Sequence, residues 1–210
     1  AFTTLEGFGA NYIPTIILAG VVSYLGMFTV LRRIVFTGVA LAQVAAAGVG
    51  AAFFVADHPR TSPAIARFAG TYGPTVGSFF LTLLAAMGVR VRSARERAGG
   101  DAIVGFIYVL SAAGAVLLVW RSTRGLAELR EILAGEVLLA SSGELVLLSI
   151  ALLIVAGVHA AFRRRFLVIS YDAEFAQTIG IPVARFDLLF LATFATAVAF
   201  ALRAGGLLLV

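Results

Sequence analysis

Ile34-Val-Phe-Thr-Gly-Val-Ala-Leu-Ala-Gln-Val-Ala-Ala-Ala-Gly-Val-Gly-Ala-Ala-Phe-Phe-Val-Ala56 carries no charged residue, and its one amide is Gln43. A run of this kind satisfies the roughly 20 residues that a helix needs to cross a ~30 Å hydrocarbon core. The run is continuously apolar, not alternating, so a helix is expected and a barrel strand is not. Its composition also places it. Gly38, Ala40, Ala42, Ala45, Ala46, Ala47, Gly48, Gly50, Ala51 and Ala52 present a surface of small side chains. Such helices let backbones approach closely and sit inside bundles. Gln43, alone in the middle, serves either as interhelical glue or as part of a pathway.

Working outward, five further apolar runs are found at Tyr12–Leu31, Pro74–Val89, Ile103–Val119, Leu145–Phe162 and Phe186–Leu202. The 210 residues are 61% hydrophobic and 13% charged, with a mean hydropathy of +1.03. The expected architecture is all-α: a polytopic bundle of six transmembrane helices in one membrane domain, residues 1–210. The first run has no basic flank before it and no convincing small-residue cleavage site after it, so it is read as a span and not a signal peptide. The second span is expected deep in the bundle, so Ala46→Leu should harm more than Ala195→Leu in the less small-rich sixth span. Cysteine is absent, which excludes disulfides and thiolate metal sites.

All sixteen basic residues are arginine, and they alternate with the connections. Arg32, Arg33, Arg90, Arg92, Arg95, Arg97, Arg163, Arg164, Arg165 and Arg185 fall on one side. Arg60, Arg67, Arg121, Arg124 and Arg130 fall on the other, offset by acidic neighbours. The positive-inside rule makes the first side cytoplasmic and the N-terminus external. The pI of about 10.4 follows from this topology. No basic face interleaved with aromatics is present, so nucleic acid is not an expected partner.

Ser170-Tyr-Asp-Ala-Glu-Phe-Ala-Gln-Thr-Ile-Gly-Ile-Pro182 interrupts the apolar pattern on the cytoplasmic side. Asp172 suits the N-cap of a helix of about two turns, and Glu174 complements the dipole in its first turn. Gly180 supplies a left-handed stop, and Pro182 blocks continuation. The segment is either a plain cytoplasmic turn or a docking element for something outside the membrane. On the outer side, Arg124–Gly135 has Leu126, Leu129, Ile132 and Leu133 at helical spacing. It reads as an amphipathic surface helix or an ordinary connector. Asp57–Gly73 is expected to be an outer loop. His58 in that loop and His159 near the inner interface are too far apart for a shared metal site. Trp120 reads as an interfacial anchor. No Ser/His/Asp set or carboxylate pair can be placed at one depth, so an enzyme is not expected.

Four stretches together resemble a family. They are Arg32–Gly48, Asp101-Ala-Ile-Val-Gly105, Leu133-Ala-Gly135 and Tyr171-Asp-Ala-Glu-Phe-Ala-Gln-Thr-Ile-Gly180, and Ala204–Val210 looks like the start of a fifth. In this order and spacing they resemble the integral-membrane permease of ABC importers for zinc, manganese and iron, over about residues 12–210. The resemblance implies a dimeric bundle in the prokaryotic inner membrane, a second permease copy, and usually an extracytoplasmic solute-binding protein. It also implies separate cytoplasmic ATPases, which would bind the ATP; this chain has no Gly-rich phosphate loop. In that picture Asp172, Glu174, Phe175 and Gly180 belong to the coupling element seated in the ATPase. Family members look longer by about two spans.

The departures bear on substrate. The family's second span usually has an aspartate and, four residues on, a histidine, groups suited to a divalent cation. Val39 and Gln43 stand there. Arg203, where a neutral polar residue is common, puts a cation near the end of the last span, as a functional group or a snorkelling one. Val39, Gln43 and Arg203 are therefore the pathway candidates, and no metal ligand is assigned. The expected function is the permease subunit of an ATP-driven importer of divalent metals, working by alternating access. The alternatives are a non-transporting scaffold derived from the same family, or a permease for a non-metal or chelated substrate. A secondary transporter would need paired broken helices or buried acids, which the sequence lacks.

Overall fold

The computed structural model describes the backbone of residues 3–93, 100–121 and 142–205, and the side chains of 16–89, 102–121 and, apart from 147, 146–202. The expected amphipathic segment at 124–135, including Leu133–Gly135, lies outside these residues. Eight helices and no strands are found among them: α1 (Thr3–Leu31), α2 (Val35–Asp57), α3 (Pro63–Thr71), α4 (Gly73–Ser93), α5 (Gly100–Trp120), α6 (Ser142–Tyr171), α7 (Ala173–Thr178) and α8 (Val183–Gly205). The six long ones cover the six apolar runs. Three are both long and apolar enough to cross a membrane, at Val35–Asp57, Ala102–Trp120 and Val183–Leu202. A fourth crossing results if α3 and α4, bent by 75° at their junction, count as one broken span.

That bend corrects the expectation of a plain loop at 57–73. Pro63 begins α3, with Ser62 at the N-cap position in extended conformation. Proline punctuates a sequence, but its missing N–H and fixed φ also suit the first turn of a helix.

The small-residue helix is the hub. α2 packs against α3, α4, α5 and α8. Two-thirds (67%) of its apolar stretch is buried, against 11% for α5, whose Phe106, Val109, Leu110 and Leu117 face outward. The reason is steric. A Cβ added at Gly48 would lie 2.5 Å from the Gly77 carbonyl oxygen, and one at Gly77 would lie 2.5 Å from that of Gly48. Two backbones therefore touch where α2 crosses α4. On the opposite side, Gly50 sits against Ala115, Leu118 and Val119 of α5.

A second core joins α1, α6 and α8. Phe28, Phe166 and Phe190 are fully buried there, with ring centroids 6.0–6.4 Å apart in tilted and edge-on pairs. His159 belongs to this core, at 1% exposure, stacked on Phe166 at 4.6 Å. The sequence reading put it near the inner end of its span; the structure shows its ring enclosed by Phe28, Phe166 and Phe190. The apolar run ends at Phe162, but α6 continues to Tyr171, so His159 lies well inside the helix and not near its end. Buried hydroxyls bond to carbonyls of their own helices: Thr82 to Ser78, Ser170 to Phe166 and Thr193 to Leu189. In an apolar surrounding this satisfies groups that would otherwise be costly.

Candidate functional site

The short polar segment folds as its residues dictate. Asp172, in extended conformation, accepts a hydrogen bond from the Phe175 N–H at 2.8 Å, and Glu174 occupies the first turn. Six residues at 1.5 Å each make α7 about 9 Å long. Its end is a Schellman closure. The Ile181 N–H donates to the Ala176 carbonyl and the Gly180 N–H to the Gln177 carbonyl, both at 3.0 Å, with Gly180 at φ 80°. Ala176 is fully buried against the α6–α8 core, with Ile181 packed beside it. One side of α7 is thus anchored. The other presents Phe175 and, at the C-cap, Ile179, each 53% exposed, beside exposed Tyr171, Asp172 and Glu174. Of the four candidate residues, Glu174 and Phe175 lie on this element and Asp172 and Gly180 close its two ends.

Beneath α7 lies a tie that the sequence reading did not anticipate. Arg32 caps the end of α1, where a second Schellman closure operates. The Ile34 N–H donates to the Thr29 carbonyl and the Arg33 N–H to that of Val30, with Arg33 in the left-handed region at φ 58°. The Arg32 guanidinium is 10% exposed. Its Nη1 donates to Asp187 Oδ1 at 2.9 Å, its Nε donates to Ser170 Oγ at 2.9 Å, and its face rests 4.1 Å from the centroid of Phe190. Ser170 is the last residue but one of α6, and Asp187 lies in the second turn of α8, so the two flanks of α7 meet on one side chain. Burial lowers the guanidinium pKa from its ordinary value, while the charge and hydrogen bond of Asp187 oppose that shift. Nη2 is buried with no partner among the described residues. An arginine whose partners Ser170 and Asp187 lie 138 and 155 residues away leaves no local signal in a sequence.

The pathway candidates separate. Val39 and Gln43 lie one turn apart on the same face of α2, Val39 being 42% exposed and Gln43 half-buried within the buried stretch from Ala40 to Gly50. Arg203 falls in the last turn of α8, and its side chain is outside the described ones. A cleft of about 360 Å³ between α1 and α6, lined by Ile17, Tyr24, Val155, His159 and Arg163, includes none of the three.

The histidines occupy unrelated places. His58 Nδ1 accepts from the Arg60 N–H at the start of the α2–α3 connection. His159 Nε2 is 2.9 Å from Thr193 Oγ1. Thr193 Oγ1 also lies 3.0 Å and 2.9 Å from the carbonyl oxygens of Leu189 and Phe190, and His159 Nδ1 has no partner among the described residues. No group of three His, Cys, Asp or Glu residues able to hold a metal occurs among the described residues.

Comparison with known proteins extends over the same chain. A sequence profile of the ABC 3 transport family matches residues 8–210. An uncharacterized membrane protein of Synechocystis sp. (strain ATCC 27184 / PCC 6803 / Kazusa), slr2045, is 26% identical over 186 residues, which are 89% of this chain and 61% of that protein. The chain therefore spans about three-fifths of that relative's length. Among solved structures, PsaBC from Streptococcus pneumoniae in complex with Fab superposes with a TM-score of 0.76 at 19% identity, over 97% of this chain and 68% of that one. At that identity the likeness is one of fold.

Proposed function

Because the chain belongs to the ABC 3 transport family, we propose that it is the membrane-spanning permease of an ATP-driven importer, with divalent metal ions as substrate class. In this reading it crosses the membrane six times with the N-terminus outside and pairs with a second permease copy. It receives substrate from an extracytoplasmic binding protein and takes its energy from separate cytoplasmic ATPases, which bind the ATP. The chain itself is a transport subunit and performs no catalysis.

One observation carries the reading. A six-residue helix, capped at both ends and anchored through Ala176, leaves Phe175 and Ile179 exposed beside Tyr171, between two long apolar helices. An aromatic-aliphatic stripe fixed so firmly at the cytoplasmic end suits insertion into a protein groove. There the ordering entropy of the helix has been met in advance. Movement of the ATPases would then displace α7 and, through the bundle, exchange access from one side to the other.

The substrate assignment is finer than the coupling one. An aspartate and a histidine four residues apart on a helix face lie 5–6 Å apart at Cβ and can bracket one dication. Val39 and Gln43 offer neither a carboxylate nor an imidazole. This favours a second reading alongside the first: passage of a chelated or non-metal substrate, or of a metal that is only briefly held.

Glu174→Arg and Gly180→Val test the coupling. The first reverses charge on the exposed side of α7, and the second places a β-branched residue at φ 80°, where only glycine is comfortable. In proteoliposomes containing the ATPase, both should leave the protein inserted while removing substrate-stimulated hydrolysis. Wild-type stimulation in both variants rejects α7 as the docking element.

A further inference from the structure

We infer that Arg32 is the positioning residue that carries displacement of α7 into α2, an inference that rests on the proposed docking of an ATPase on α7. α7 has two covalent neighbours, the end of α6 and the start of α8. Arg32 bonds to both, through Ser170 Oγ and Asp187 Oδ1, each at 2.9 Å. Its own backbone is the C-cap of α1, three residues before α2 begins. That connection is not a slack loop. The Schellman closure with Arg33 at φ 58° fixes the turn, so a pull on the guanidinium moves the start of α2 instead of being absorbed.

The chemistry of the tie suits a part that changes partners. A guanidinium has five N–H donors in a rigid fork. Here the ion pair uses one nitrogen, Ser170 takes another, and Nη2 remains buried without a partner among the described residues. Ser170 donates its own proton to the Phe166 carbonyl, so its oxygen is left to accept from Arg32. A small rotation of α8 against α6 can exchange the bond on Nη1 for one on Nη2 while the charge pair is kept. Phe190, under the guanidinium at 4.1 Å, supplies a flat surface on which that rotation can slide. At the other end of the lever, α2 is pinned against α4 at Gly48 and Gly77. Movement at Arg32 therefore swings the intervening face, which bears Val39 and Gln43.

The test exploits the absence of cysteine from the chain. Val39→Cys, on an exposed position of α2, is purified with its ATPase and placed in proteoliposomes. Labelling of this chain by a polar maleimide is timed without nucleotide and with ATP plus vanadate. With Arg32 intact, ATP should change the labelling rate. Arg32→Gln should retain the ATPase but lose the ATP-dependent difference, Ser170→Ala should diminish it, and Arg32→Lys should restore part of it. Ser170→Ala removes one hydrogen bond and keeps the ion pair, so it answers the question even if Arg32→Gln fails to insert. An unaltered ATP response in Arg32→Gln and Ser170→Ala overturns the inference and leaves the docking proposal standing. Loss of the ATPase in both variants also overturns it, because Arg32 then only shapes the docking surface. If the chain with Arg32 intact retains no ATPase, the docking proposal fails and the inference with it.

Discussion

Gly48 and Gly77 show what a single hydrogen-for-methyl change can do in this bundle. Each would bring a Cβ to 2.5 Å from a backbone carbonyl, and backbone cannot rotate aside as a side chain can. In lipid, helix association rests on packing, not on expulsion of water, so this contact matters more than its size suggests. Gly48→Ala or Gly77→Ala should cost about 1–3 kcal/mol by overpacking. Gly20→Ala, where a Cβ meets nothing within 4 Å, should be silent. Thermal unfolding in detergent compares them, and equal midpoints for all three contradict the close crossing. A second residue-scale prediction concerns Val39 and Gln43. The unmodified protein should bind Zn²⁺ or Mn²⁺ weakly, and Val39→Asp with Gln43→His should strengthen binding in isothermal titration. Tight binding by the unmodified chain, unaffected by substituting Gln43, contradicts it. The small-residue pattern of α2 was visible in the sequence because composition is local. That Gly77 is the partner of Gly48, and Asp187 the partner of Arg32, was not, since both depend on which helices meet.

Elements were legible where their ends carry chemistry. Asp172, Glu174 and Gly180 each play the local part their residue type suggests, so α7 could be drawn from the sequence to within a residue or two. α3 was missed because Pro63, which begins it, and Gly73, which begins α4, also punctuate loops. α6 continues past the apolar run through Arg163, Arg164 and Arg165 to Tyr171, an extension that hydropathy alone does not mark. The aromatic enclosure of His159 was not legible, because Phe28 and Phe190 reach it from other helices. Depth within the bundle was only half legible. Ala46 in α2 was expected to tolerate enlargement less than Ala195 in α8, but both are 1% exposed. Ala46→Leu and Ala195→Leu should therefore be comparably damaging, each forcing extra methylenes into a closed contact. A detergent thermal scan in which Ala195→Leu matches the parent protein contradicts the α8 packing.

At the scale of the whole molecule, hydropathy and arginine placement produced an all-helical membrane bundle, and the six long helices lie where the apolar runs are. The positions of the six long helices could be read because each run is continuous. Which helix is central followed only in part, from the small residues of α2. The tie through Arg32 emerges only once α1, α6 and α8 are assembled. The proposed function joins these levels: a rigid bundle, a central helix with a lightly exposed face, and a preformed docking helix at one end. The most direct test is to purify the protein from its native membranes and identify what comes with it by mass spectrometry, alongside the Phe175→Asp variant. Phe175 is 53% exposed and belongs to none of the buried core clusters, so its replacement should leave the fold intact. The account predicts an ABC ATPase bound to the unmodified protein and lost from the variant. An ATPase retained equally by both, or absent from both, would contradict it.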